Sequence, residues 1–380
     1  MSSIRAGAVL ASLCGLVTAC TLTTPLDELG SGGSATGSST AGPGASSGGI
    51  GGSGTGGSGG DVAVDDIGLG ATSASHHRID LEWQPQEDGG TFDVEQNGEI
   101  IRTGLSGTSF ESRGLEPSTE YVFRVRHQGA RGSVWSLPAS AMTGREPRGS
   151  YEEQVLADEP RAYWRMEETT GAVMSDSTEN VPAGLIEGGA NPDVAGQLGS
   201  GTSFDGTDDH VTLGTVHTAE SDWGWSWELW AHVLAVHSVG ESGLMGCYNA
   251  PRLTVLSTGQ ITGGVVNRSG PTFNPFSTDV ELPFGSWHHL VVTVRDSLGD
   301  KPVSKVYLDG ALISMKEFTE AVHSPWSRGN GGATSDGDLH LNRRDTVNGV
   351  EGTYDEAAAY DYVLSGAQIE RHYQEGAAGR

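Results

Sequence analysis

From residue 79 onward the chain is written in short alternating runs closed off by turn residues, and that pattern leaves little choice of fold. HRIDLEW places Ile79, Leu81 and Trp83 on one face, and TFDVEQNGEII does the same with Phe92 and Val94 before turning at Asn97-Gly98. Successive side chains of a strand point to opposite faces, so each run reads as a half-buried strand. Asn-Gly is a strong hairpin signal because both central residues of the tight turn need positive φ. EYVFRVRHQ repeats the alternation with Tyr121, Phe123 and Val125, and beyond residue 150 WSWELWAHV, HLVVTV and SKVYLDGALI read as further strands. The one helix predicted lies at 365–375, where Ser365 and Gln368 form a capping box and Gly376 is the expected stop. Short strands at close spacing predict an all-β chain built of sandwiches, with one short C-terminal helix.

The first 60 residues stand outside this pattern. Residues 30–60 are mostly glycine and serine with few apolar side chains, so little offsets the entropy of ordering them. They read as a tether averaging roughly 30 Å end to end. GGSGG at 56–60 matches G-x-S-x-G in form only, since that motif has meaning on a tight strand-to-helix turn. Ahead of the tether, Arg5 precedes an apolar or small stretch from Ala6 to Ala19. A bilayer span needs about 20 apolar residues, and the anatomy here is that of a secretory signal. Val17-Thr18-Ala19-Cys20 resembles the lipobox of bacterial lipoproteins. The resemblance implies a signal peptide over 1–19, lipidation of Cys20 and a lipidated tether over 20–60. It also implies a lipid-anchored place at the outer membrane or cell surface, because Thr21 stands where an aspartate would retain the chain at the inner membrane. Several acyl chains hold a protein stably to a membrane where one does not. An ordinary signal peptide cut at a nearby small residue is the other reading.

Charge and cysteines narrow the partners. The chain has 49 acidic and 22 basic residues, a formal charge of -27. Such a surface repels phosphate backbones, so no nucleic-acid partner is expected. Of the three cysteines, Cys14 leaves with the signal and Cys20 is the lipid site, so Cys247 has no disulfide partner in the mature chain. It reads as a small buried apolar residue. No H-E-x-x-H and no paired Cys or His zinc spacing occurs. The His76-His77 pair is expected at a loop or edge, since neighbours on a strand face opposite ways.

Two resemblances give the strands a domain plan. Trp83, the F-D-V-E-Q-N-G hairpin and LEPSTEYVFRV resemble a fibronectin type III domain over residues 61–146. This implies an immunoglobulin-like sandwich used as a spacer or contact module, with Tyr121 hydrogen-bonding back to the chain near Leu115, Pro117 and Thr119. In 151–380, PRAYWRMEETTG, SGTSFDGTDDHVTLG, SWSWELWAHV, GSWHHLVVTV, VYLDGALI and GTYDEAAAYDYVLSGAQIERHY occur in order. Together they resemble the laminin G-like jelly roll of the concanavalin A-like lectin and glucanase superfamily. Ala357 to Ala359 are smaller than is usual there and imply a thinly packed strand.

The superfamily's glucanases use paired glutamates in Glu-x-Asp-x-x-Glu, and YDEAAAYD lacks the last of them. Glycosidases need two carboxyls at a set separation, so catalysis is not expected. One histidine of His288-His289 is expected to point inward and be satisfied by hydrogen bonds. Alternation places Trp164, Met166 and Glu168 on one face, and Asp355 inward with Ala357 and Ala359. A carboxylate on an apolar face needs a partner. A structural Ca²⁺ held by Glu168, Asp355 and Asp176 would supply one. Backbone amides, or an arginine such as Arg165 or Arg343, are the alternative. Exposed aromatics for a ligand are sought in the Pro- and Gly-rich loops, at Phe273, Phe276 and Trp326. The expectation is a non-catalytic, membrane-anchored binding or adhesion protein whose jelly roll recognises a glycan or a cell-surface protein. A polysaccharide hydrolase and a purely structural envelope component are the alternatives.

Overall fold

In the computed structural model, residues 67–218, 223–237, 240–247, 251–266, 273–296, 301–320, 322, 338–344 and 347–379 are described. The N-terminal sandwich packs a three-stranded sheet (Gly70–Ser73, Ile79–Glu82, Ser109–Ser112) on a five-stranded one. The larger sheet runs Glu99–Leu105, Thr91–Gln96, Glu120–Gly129 and Gly132–Trp135, with Ala139–Met142 also on Glu120–Gly129. The alternation read from the sequence sets the core: Ile79, Leu81, Trp83, Phe92, Val94, Phe123 and Val125 are all buried in it. Asn97 and Gly98 take φ of 51° and 89°, as the hairpin requires. Tyr121 closes the corner by accepting the Glu116 N–H at 2.9 Å.

Residues from 162 onward build two large antiparallel sheets face to face. Sheet I runs Asn191–Ala195, Ser200–Asp205, Glu351–Tyr360, Gly224–Ala235, Trp287–Arg295, Val303–Leu308 and Ala311–Glu317, with Ala162–Trp164 also paired to Glu351–Tyr360. Sheet II runs Val173–Met174, Gly184–Glu187, His210–Gly214, Leu339–Leu341, Glu241–Cys247, Arg252–Leu256, Gln260–Val266 and Phe273–Glu281. The core between them holds Trp164, Trp227, Leu229, Leu253, Val292 and Leu341, and Cys247 is buried there. Ala357 and Ala359 are fully buried in the same core. Their small side chains lie beside Trp164 and Trp227, across from which they pair. The expected thin packing is thus filled by two indoles.

The other face of sheet I is closed by two helices, α1 (Tyr151–Ala157) and α2 (Gly366–Ala378). Both begin with a capping box: Ser150 with Glu153, and Ser365 with Gln368. The first box stands in the sequence as S-Y-E-E, a signal the strand reading passed over. Gly376 does not stop α2. It lies inside the helix because Trp230 packs there, and a Cβ at Gly376 would sit 2.5 Å from that indole. Tyr151, Val155, Tyr163, Trp230, Tyr360 and Ile369 form this second core.

The two sandwiches belong to one compact unit, Gly60–Arg380. The loop between Gly70–Ser73 and Ile79–Glu82 carries His76 and His77 onto the jelly roll. His77 stacks on Tyr362, with centroids 5.4 Å apart and planes 15° apart. Arg78 and Arg113 both reach Glu159 at 2.6 Å. The histidine pair therefore sits on a loop, as expected, but buried in a joint between domains.

Candidate functional site

Four carboxyls lie beneath or beside the helices. Glu228, in the middle of WSWELWAHV, faces α1 and α2 and is fully buried. It accepts from Tyr151 Oη at 2.8 Å and Tyr360 Oη at 3.0 Å, and contacts His289 Nε2 at 2.8 Å and His372 Nδ1 at 3.0 Å. The other ring nitrogen of His372 lies 2.9 Å from Asp158. Asp158 also meets His76 at 2.5 Å and Arg371 at 2.7 Å. Arg371 in turn reaches Glu146 at 3.1 Å. Burial works against charge here, but the opposite charges outweigh it. His372, with a carboxylate at each nitrogen, is pushed up to about 9. Glu228 and Asp158 are held well below the usual carboxylate range by His372 together with His289 and His76 respectively. This chain of ion pairs runs from the centre of sheet I to the N-terminal sandwich. His289 satisfies the expectation of an inward, hydrogen-bonded histidine, on the helix side of the sheet. Signals for the rest were a glutamate inside an apolar strand and a His-Arg pair in α2.

Asp355 departs from its expected face. A bulge at Glu356, which takes φ 52°, breaks the pairing between Glu228/Ala358 and Trp230/Asp355. The extra residue turns Tyr354 into the inter-sheet core with Ala357 and Ala359 and sends Asp355 to the helix side. There it accepts the Leu198 N–H at 2.8 Å, so a backbone amide is its partner. Burial, and then the neighbouring Glu356, push Asp355 up to about 9. Burial likewise raises Glu356 to about 8, against the pull of Tyr163 and Arg165. Asp176 binds the N–H groups of Tyr163, Thr178, Asn180 and Val181, and Glu168 accepts the Ser175 N–H at 2.7 Å. The structure does not gather Glu168, Asp176 and Asp355. Among the described residues, the groups of three or more acidic, histidine or cysteine side chains whose ligand atoms all lie within 4.8 Å of one another are His76, His77 and Asp158, and Asp205, Asp208 and Asp209. In the first, His76 and Asp158 belong to the ion-pair chain and His77 stacks on Tyr362. In the second, Asp209 already accepts the Asp205 N–H at 2.8 Å.

The face of sheet II away from the inter-sheet core is lined with polar groups, of which Thr212 and Arg252 are partly exposed and His340, Thr254 and Thr262 are buried. Pairing registers place Val173, Leu185, Thr212, His340, Gly246, Arg252, Gly264 and Pro275 in one row across all eight strands. Thr212 donates to Glu187 at 2.6 Å and lies 3.2 Å from His340. Beside the row, the Thr254 and Thr262 hydroxyls meet at 2.7 Å. Arg252 lies 3.8 Å above the Phe273 ring, and Phe273 lies flat because Gly264 beneath it has no Cβ; one there would come within 2.4 Å of the ring. Val173 and Leu185 are exposed apolar residues at the far edge of the row. Phe276, one strand position away from this face, points into the inter-sheet core and is 4 % exposed. Trp326 and Cys20 lie outside the described residues. A cleft of about 1290 Å³ runs between the two sandwiches, with walls from both.

No curated protein matches this chain in sequence. Domain 4 of AbnA, a GH43 extracellular arabinanase from Geobacillus stearothermophilus solved with arabinotriose, is similar over 57 % of this chain and 98 % of its own, at 19 % identity and TM-score 0.42. Trypanosoma rangeli sialidase is similar over 80 % of this chain at 11 % identity and TM-score 0.41. The binding domain of botulinum neurotoxin serotype D is similar over 56 % at 10 % identity and TM-score 0.42. The chain spans about half the length of the sialidase and neurotoxin structures, at 52 % and 51 %. Residues 205–370 match the family model described as the concanavalin A-like lectin/glucanases superfamily, and they form a domain of that superfamily.

Proposed function

We propose that this chain is a non-catalytic recognition protein of the cell surface. In this reading Cys20 is lipidated and tethers the chain. A fibronectin type III-like sandwich supports the jelly roll, and the outer face of sheet II takes up carbohydrate. The row from Thr212 through His340 to Arg252 carries the reading. It sets hydroxyl, imidazole and guanidinium groups on a rigid strand floor, where a sugar's hydroxyls find donors and acceptors side by side. The Phe273 ring on one side and Glu241 at 3.4 Å hold the Arg252 guanidinium in place, so little entropy is lost when it binds. The buried carboxyls argue against hydrolysis. Glu228, Asp355 and Glu356 are at most 1 % exposed and are joined to protein donors beneath the helices.

A glycan array probed with the mature protein and with Arg252→Ala tests the proposal. Binding that disappears in the variant is the expected result. Release of reducing ends, abolished by substituting a carboxylate, would replace this reading with a polysaccharide hydrolase. Specific capture of envelope proteins with no glycan bound would replace it with a structural role.

A further inference from the structure

We infer a second binding site, in the cleft between the two sandwiches, that takes a neutral linear oligosaccharide. Its walls are Ile101, Arg102 and Phe110 on the N-terminal side and Trp223, Lys305 and Tyr307 on the jelly roll. Three properties point to this ligand class. First, the cleft is preformed. The ion-pair chain through Asp158, the stack of His77 on Tyr362 and the two arginines on Glu159 fix the sandwiches to each other. No closing motion is needed to assemble the walls, which favours binding. Second, its volume of about 1290 Å³ exceeds the ~300–1,000 Å³ typical of small-molecule pockets, so it suits an extended chain rather than a single sugar. Third, its charge is mixed and partly paired within the cleft. Eight carboxylates and five cations line it, with Glu111 on Arg113 at 2.6 Å, Glu159 on Arg113 at 2.6 Å and Glu99 on Arg295 at 3.6 Å. The excess of carboxylates disfavours a polyanion. The paired groups still offer hydrogen bonds of both kinds to hydroxyls.

The cleft also carries aromatic side chains. Arg102 bridges the domains with its guanidinium 4.2 Å from the Trp223 ring centroid and 5.9 Å from that of Phe110. Trp223 and Phe110 are both partly exposed and both line the cleft. This site is independent of the sheet II face, because its residues come from different elements and half of them from the other sandwich.

The test is calorimetric titration of the mature full-length protein with neutral hexasaccharides (cellohexaose, xylohexaose, mannohexaose), with heparin and with a lysine-rich peptide. Trp223→Ala is expected to weaken binding of the preferred hexasaccharide about tenfold or more. Ser109→Trp, which plugs the cleft from an exposed position without removing a domain contact, is expected to do the same. Arg252→Ala, on the sheet II face, leaves this binding in place. Loss with Arg252→Ala but not with the two cleft variants would overturn the cleft site and leave the proposed function standing. Binding of the peptide or heparin in preference to every hexasaccharide, or no binding at all, would overturn the cleft site too.

Discussion

Replacing His372 with glutamine tests whether the buried ion-pair chain stabilises this fold through charge. His372 is fully buried on α2, with Glu228 at 3.0 Å on one nitrogen and Asp158 at 2.9 Å on the other. Its pKa rises from the ordinary 6.5 to about 9. A group raised in the folded state contributes fully below its unfolded pKa and loses that contribution as pH climbs through the folded one. The shift corresponds to about 3 kcal/mol below pH 6.5, of which about 2.5 kcal/mol disappears between pH 7 and pH 10. Breaking a buried pair by removing one partner costs about 3–5 kcal/mol, which agrees in size. His372→Gln is therefore expected to lose about 3 kcal/mol at pH 7 and less than about 1 kcal/mol relative to wild type at pH 10, where the wild-type imidazole is itself neutral. Asp355 and Glu356 also release protons in this range, to about 9 and about 8, but they do so in both proteins and cancel in the difference. Urea unfolding followed by tryptophan fluorescence at pH 7, 8, 9 and 10 measures that difference. A gap that stays constant across the four pH values, or a variant as stable as wild type at pH 7, would refute the electrostatic account.

Other expectations follow from single contacts. Asp355, raised by burial to about 9, is protonated at pH 7. Asp355→Asn removes the cost of protonating that carboxyl on folding, so the variant should be more stable than wild type at pH 7 and by a wider margin at pH 10, as read by thermal melts at the two pH values. Gly376→Leu drives a side chain into Trp230 and should cost about 1–3 kcal/mol or more, seen as a lower urea midpoint with α2 partly lost by circular dichroism. Asp176 holds four backbone N–H groups, so Asp176→Ala should destabilise the fold by at least about 1–3 kcal/mol, to the same extent with and without EDTA. A larger loss without EDTA would return calcium to that carboxylate.

Much of the strand plan was legible in the chain. Alternation named Ile79, Leu81, Trp83, Phe92, Val94, Phe123 and Val125 as core, because period-two burial is a local property of a half-buried strand. The Asn97-Gly98 turn and the Ser365 cap were equally local. Asp355 was not legible, because a bulge one residue away reversed its face and only the pairing with Gly224–Ala235 reveals the bulge. Gly376 carried a stop signal that packing against Trp230 overrode. Phe273 and Phe276 looked alike as loop aromatics, yet the sheet register puts one on the outer face and the other in the core.

By itself the sequence determined the class of fold and the order of its strands, since hydrophobic period and turn chemistry are written residue by residue. Only the tertiary structure decided which polar groups meet. Glu228, His372, Asp158 and His76 are separated by up to almost three hundred positions, and a charge buried at one is tolerable only because folding delivers its partner from another. The same long-range closure sets the two sandwiches against each other, and with them the cleft that neither sandwich contains alone.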